Sequence, residues 1–295
     1  MRRHVGFAVL VLLGAAIYSP SVHSLVMLAF RNETYSHVLI IPAVSLFLLW
    51  IERQKVFSKT GTELFPGAAV CVGGLVVYAL AFAIRDRLDS PAFRNQDISN
   101  DFLTLCMLGA VAWVIGSFLV AYGRQAFKRA RFALLFLVFA VPLPMFLLNA
   151  VIAALQFASA EASDVVFKLT SVAYHRHGLV FEFPNVSVQV AEQCSGIRSS
   201  LSLFILSIIT GHLFLGTFSR RLILALAIFP IAMVKNAFRI VTITLLANYV
   251  DMRFLTNHWI HSSGGILFFA VALVLFIPLV WALRRTEARL GRRTE

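Results

Sequence analysis

The chain has 295 residues, 59% of them hydrophobic and 14% charged, with a formal net charge of +12. A soluble domain carries about 25% charged residues, so this composition excludes a soluble globular protein and describes a polytopic membrane protein. In a soluble chain such a positive balance would point to nucleic acid; here the basic residues cluster at the ends of apolar runs.

A spanning helix needs about 20 mostly apolar residues. Eight runs answer that description to within a few residues: 5–19, 37–51, 67–84, 102–122, 131–149, 199–217, 222–249 and 263–283. Arg2 and Arg3 ahead of the first run imitate a secretory signal, but no A-x-A site follows, so an uncleaved first span is expected. Cys71 and Cys106 lie inside apolar runs and read as small buried hydrophobes.

Basic residues collect in alternate connections. With a cytoplasmic N-terminus, the inner segments hold Arg2 and Arg3, then Arg53, Lys55 and Lys59, then Arg124, Lys128, Arg129 and Arg131. Arg220 and Arg221 follow, and last Arg284, Arg285, Arg289, Arg292 and Arg293. These are most of the chain's 26 Lys and Arg residues, whereas the outer loop around 85–101 offsets its arginines with Asp86, Asp89, Asp97 and Asp101. The positive-inside rule therefore places both termini in the cytoplasm. The net charge becomes a topology signal that needs no nucleic acid, and 284–295 becomes a basic cytoplasmic tail on a single integral membrane domain, 1–295.

One long outer segment remains, about 150–192. Its first half, Val151 to Ala173, is apolar with few charges and reads as a helix lying in or dipping into the interface. Its second half, Gly178 to Val190, alternates around Pro184-Asn185 and reads as a short β-hairpin. His175 and His177 just before it read as a solvated turn. The expected fold is thus all-α and polytopic, about eight transmembrane helices with an outer-face interfacial helix and a short hairpin leading to Cys194.

Polar groups gather where that hairpin ends. Glu192-Gln193-Cys194-Ser195-Gly196-Ile197-Arg198 stands at the outer mouth of the sixth span. Lys235-Asn236-Ala237-Phe238-Arg239 lies in the outer half of the seventh, and His258-Trp259-Ile260-His261 precedes the eighth. Topology alone brings Cys194, Arg239 and His261 to one outer-leaflet depth, with His37 opening the second span from the same side. Ionisable groups at membrane depth are functional-site candidates by default.

Nucleophilic acyl transfer suits this set. A thiol at a helix N-terminus or beside a cation ionises more readily, and Arg198, four residues on, would share its helical face. A histidine would move the proton, and Arg239 would stabilise the oxyanion or orient the scissile carbonyl. Asn236, on the face of Arg239, would hold the guanidinium or a substrate amide. Gly196 and the Gly264-Gly265 pair would let a substrate backbone approach closely. Each residue has a plainer alternative. Cys194 is also readable as a packed thiol, Arg239 as a snorkelling or ion-paired cation, and His37 as an interfacial anchor. Glu192 pairs with Arg198 or marks the helix start. His258 competes with His261, and the two together could hold a metal, although no carboxylate or third histidine follows at ligand spacing.

Glu-x-Cys-Ser-Gly-Ile-Arg, then Asn-x-x-Arg, then His-x-x-x-Gly-x-x-x-Phe (His261, Gly265, Phe269), in that order on three consecutive spans, resembles the exosortase/archaeosortase family. Tyr35-Ser36-His37-Val38-Leu39-Ile40-Ile41-Pro42 looks like that family's second-span motif, and Val141-Pro142-Leu143-Pro144 is similar to its Pro-Leu-Pro segment, so the likeness runs from about 35 to 275. The resemblance implies a membrane cysteine transpeptidase or protease of the inner membrane, with its active site facing outside. Its partners would be exported proteins carrying a short motif, a hydrophobic helix and a basic tail. The acceptor would be water or a lipid or glycan carrier, and no cofactor or metal is implied. By motif match Cys194 is the nucleophile, Arg239 the transition-state arginine and His261 the general acid/base. The histidine favours an exosortase-like over an archaeosortase-like member. The subfamily and its sorting motif stay unassigned.

Two other classes compete. A non-catalytic exopolysaccharide or lipid-carrier assembly factor or transporter would use Arg239, His261 and His37 to line a polar path, yet gains nothing from Cys194. An intramembrane metalloprotease would want His-Glu-x-x-His, which is absent from the chain.

Overall fold

A computed structural model describes residues 2–85, 99–170, 172–192, 195–256 and 258–291, by backbone alone at 99, 256, 258–266, 288, 290 and 291. The described chain is mostly helical with a small three-stranded antiparallel sheet, and it divides into two compact units, Met1–Leu148 and Asn149–Glu295. Among the described residues, eight segments are long and apolar enough to cross a membrane: Arg2–Arg31, Glu33–Ile51, Leu64–Ala83, Asn100–Ala140, Met145–Leu169, Ile197–Phe214, Phe218–Tyr249 and Leu267–Glu287. The number matches the expectation, but the partition differs.

In the first unit, α1 spans Arg2–Arg31 and continues through Pro20, well past the expected 5–19. A 3₁₀ segment, Glu33–Leu39, is started by the Asn32 side chain, which accepts from Thr34 N at 3.0 Å. It leads into α2 (Ile41–Ile51), the short α3 (Arg53–Val56) and α4 (Leu64–Ala83). The expected span 102–122 and the first part of the expected span 131–149 fall in one helical stretch, α5 (Ser99–Phe136), interrupted at Gly123. With φ 79° and ψ 175° this residue leaves helical space in a region that side chains other than glycine's rarely tolerate. The stretch folds back there, because Thr104 Oγ1 donates to Pro142 O at 2.9 Å and Asp101 Oδ1 accepts from Met145 N at 2.7 Å.

Both ends of this hairpin are tied. At one end Arg129 donates to Lys55 O at 3.0 Å, Gly61 N to Tyr122 O at 2.9 Å, and Arg3 bonds Thr60. The three connections expected on the inner side of this unit are therefore together. At the opposite end Asn100 Nδ2 donates to the buried Tyr35 hydroxyl at 2.6 Å. Between the ends, α4 and α5 touch backbone to backbone: a Cβ on Gly74 would stand 2.6 Å from Gly109 O, and one on Gly116 2.8 Å from Gly67 O. Small residues at helix contacts allow such approach in a bilayer. Cys71 and Cys106 are free, buried thiols, as their apolar surroundings suggested.

The fifth span ends earlier than expected. Val141 is extended (φ −83°, ψ 125°) and Pro142 and Pro144 follow, so helix stops at the prolines instead of at the end of the apolar run. A new helix, α6, then runs continuously over Met145–Leu169. It absorbs most of the expected interfacial segment 151–173, and its 25 residues are long and apolar enough to cross a membrane.

In the second unit, α6 carries the sheet. The predicted hairpin is present as β2 (Val180–Glu182) and β3 (Ser187–Gln189), in register Phe181 with Val188 around the Pro184-Asn185 turn. The expected solvated turn at His175 and His177 is corrected in its conformation: both side chains are exposed, as expected, but the residues form β1 (His175–His177), pairing with β2 so that His175 faces Glu182. Three bonds hold the sheet to α6. Arg176 reaches Glu161 at 2.5 Å, Tyr174 donates to Asp164 Oδ1 at 2.9 Å, and Gln156 Nε2 donates to Val190 O at 3.0 Å. Burial, and then the Asp164 carboxylate it donates to, push the Tyr174 hydroxyl up to about 12, so it stays a neutral donor at physiological pH. The helices α7 (Ile197–Phe214), α8 (Phe218–Tyr249), α9 (Arg253–Thr256) and α10 (His258–Gly291) complete the unit. Glu287 accepts from Gly216 N at 3.0 Å and Thr217 N at 2.9 Å and pairs with Arg220 at 3.0 Å. The α7–α8 turn thereby meets the late part of α10.

Candidate active site

The nucleophile candidate Cys194 lies outside the described residues, as does Gln193, and the site is built from what flanks them. Ser195 N donates to Glu192 O at 3.0 Å, and regular helix bonding begins with Ser200 N to Gly196 O at 2.9 Å. Helix α7 therefore starts at Ile197, with Gly196 as its cap at φ 74°, ψ 17°. This corrects one expectation. The four-residue spacing from position 194 to Arg198 does not run along a helix, and Arg198 is exposed.

The interior instead approaches from α8. Gly196 backs directly onto it: a Cβ at this position would stand 2.9 Å from Asn236 Oδ1 and 3.4 Å from Lys235 Nζ. Asn236 is 1% exposed, and its Nδ2 donates to Ser159 Oγ of α6 at 2.8 Å. Lys235 is 3% exposed, and its ammonium donates to Ser199 Oγ, which in turn donates to Gly196 O at 3.0 Å. The absent side chain of Gly196 is thus a packing requirement against α8. Gly196→Ala combines a left-handed φ with this contact and should destabilise the protein by about 1–3 kcal/mol, read as a lower unfolding midpoint in detergent. An unchanged midpoint would mean that the segment shifts freely.

Arg239 follows one helical turn after Lys235 and is half-buried. It lines a pocket with Val188 and Val190 of the β3 strand and its exit, Ile243 and Thr244 of α8, and Leu255 of α9. The walls are apolar, and Thr244 Oγ1 is buried with no hydrogen-bond partner among the described residues. A cation and a hydroxyl in an apolar pocket are the usual means of orienting a polar group of a ligand.

The remaining candidates are placed less fully. His258, His261 and Gly265 occupy the first turns of α10, and their side-chain surroundings lie outside the described residues. Leu255, three residues before His258, brings the chain to the Arg239 pocket. His37 belongs to the first unit, where its Nδ1 sits 3.0 Å from Thr34 O. A carbonyl can only accept, so that nitrogen carries the proton. Among the described residues no group of three or more His, Cys, Asp or Glu side chains is placed to hold a metal ion.

Lys235 is the residue that sequence reasoning passed over. It was quoted only as a neighbour of Asn236 and Arg239, although a lysine within an apolar span is itself a signal. Ser159 and Ser199 carried no such mark, since serines in apolar helices commonly bond their own backbone.

The family model for transmembrane exosortases (Exosortase_EpsH) matches residues 27–278. No curated protein and no solved structure matches the chain.

Proposed function

Because this chain belongs to the transmembrane exosortase family, we propose that it is a cysteine protease or transpeptidase that cleaves the C-terminal sorting signal of exported proteins at the outer face of the cytoplasmic membrane. One observation carries the reading: Gly196 and Ser199, which follow Cys194 in the chain, pack on the turn of α8 that ends in Arg239. A substrate helix with a basic tail would insert with that tail inside, by the same charge rule that orients this chain. Its cleavage motif would then emerge beside the second unit's sheet and the Arg239 pocket.

The reaction proceeds through Cys194. Its thiolate attacks the scissile carbonyl, and Arg239 donates to the oxyanion that develops. The C–N bond then breaks, the leaving amine takes a proton from the protonated His261, and the carbonyl remains on sulfur as a thioester. Water, or an amine on a lipid or glycan carrier, gives its proton back to His261 as it attacks, and the thiolate is restored. Val188, Val190, Ile243 and Leu255 would accept apolar side chains of the motif, with Thr244 Oγ1 available to a backbone carbonyl.

His261 rather than His258 carries the proton in this scheme. His261→Ala should lower processing of a co-expressed substrate by about 10²–10⁴-fold, while His258→Ala leaves it within about threefold of wild type. The reverse pattern would move the acid/base role to His258, and two active variants would remove histidine from the reaction.

A further inference from the structure

We propose that Lys235 is a positioning residue for the reaction: its buried ammonium holds the start of α7 and sets a positive charge beside Gly196, two residues along the chain from Cys194, favouring the thiolate. The inference rests on the reading of Cys194 as nucleophile.

Three observations support it. Lys235 is 3% exposed inside an apolar helix, yet its ammonium is spent on a neutral acceptor, Ser199 Oγ. Among the described residues no carboxylate pairs with it. A buried cation without a counter-charge is costly by several kcal/mol, so a lysine kept there is best explained by an anion that completes the site. Second, the ammonium is not beside an arbitrary stretch of backbone. It stands 3.4 Å from the point where a Cβ of Gly196 would be, two residues along the chain from Cys194. Third, Ser199 links the ammonium to the helix cap, because the same hydroxyl donates to Gly196 O at 3.0 Å. The lysine therefore acts on both the position and the electrostatics of the segment that follows the thiol.

The other charged groups around this point are few. Arg239 lies one turn further along α8, and Glu192 and Arg198 flank the segment with exposed side chains. On α6, Glu161 and Asp164 are engaged by Arg176 and Lys168. From α10, His258 and His261 approach in sequence, with side chains outside the described residues. A single cation near a thiol lowers the pH at which it ionises by about one unit or more.

The test is the pH dependence of Cys194 alkylation by iodoacetamide in membranes holding the full chain, quantified on the Cys194 peptide by mass spectrometry so that Cys71 and Cys106 do not contribute. Lys235→Gln keeps a donor for Ser199 without charge, Lys235→Met removes both, and Lys235→Arg keeps the charge. The midpoint should rise by about one pH unit in the Gln and Met variants, which is about tenfold slower labelling near neutrality. It should stay within about half a unit of wild type in Lys235→Arg. A midpoint unmoved in Lys235→Gln and Lys235→Met, or moved equally in Lys235→Arg, would overturn the proposal. Alkylation reads the thiol independently of cleavage. A shifted midpoint together with processing retained by Cys194→Ala would instead overturn the nucleophile assignment and leave the electrostatic role of Lys235 standing.

Discussion

Cys194→Ala and Cys194→Ser should each abolish processing of a co-expressed sorting-signal substrate, by at least about 10³-fold, while the protein accumulates in the membrane at wild-type level. The expectation has a physical basis beyond motif order. The residues just after Cys194 in the chain are held by the interior: Gly196 is pressed on Asn236, Asn236 is tied to Ser159, and Lys235 is tied to Ser199. None of these contacts needs a sulfur atom for stability, so removing it should leave the fold intact and delete the chemistry. The serine variant is the more demanding case, because a hydroxyl ionises far less readily than a thiol. Processing retained by Cys194→Ala would favour the assembly-factor or transporter reading, in which the thiol has no task.

Arg239→Lys should be the second large effect, lowering kcat/KM by about 10²-fold, or about 2.7 kcal/mol of transition-state stabilisation. The substitution keeps the charge and loses the planar fork, which matters where two donors must meet one developing oxyanion. The pocket sharpens the expectation. Arg239 is half-buried between the β3 exit and α8, and the wall around it is apolar, so water offers little compensation for a misplaced ammonium. The loss should fall on kcat as well as on KM, because an interaction made in the transition state is the one removed. Full activity in Arg239→Lys would reduce the residue to a membrane anchor.

Much of the fold was legible from hydropathy and charge placement, and the reasons for the exceptions are local. The number of segments long and apolar enough to span among the described residues, the grouping of Arg129 with the Lys55 connection, and the hairpin around Pro184-Asn185 all follow from patterns of 20 apolar residues, basic loops and period-two alternation. The break at Pro142–Pro144 was misplaced because an apolar run does not stop at proline even though a helix does. Strand β1 escaped because His175-Arg176-His177 has no apolar alternation; Arg176 reaches back to Glu161 and Asp164, a tertiary ion cluster that no local pattern announces. Arg198 was assigned to the wrong environment because a helical spacing was applied across Gly196, where the chain is left-handed.

The site was legible in its residue types more than in their tasks. Asn236 and Arg239 were expected on one helical face, and they lie within one turn of α8, where Asn236 also bonds Ser159 and packs against Gly196. Lys235 was hidden by its neighbours: in a chain with 26 basic residues, each cation first reads as topology. Its burial, and its contact with a serine 36 positions away, are properties of the folded unit alone.

The central claim, that Cys194 forms a covalent acyl-enzyme with the substrate, is tested most directly by trapping that bond. Membranes holding the full chain and a sorting-signal substrate, quenched in acid and digested, should yield a Cys194 peptide joined by a thioester to the new C-terminus of the substrate. Hydroxylamine should release it, leaving a hydroxamate on the substrate fragment and a free thiol on Cys194. Cleaved substrate that appears with no such adduct, together with undiminished cleavage by Cys194→Ala, would contradict the account.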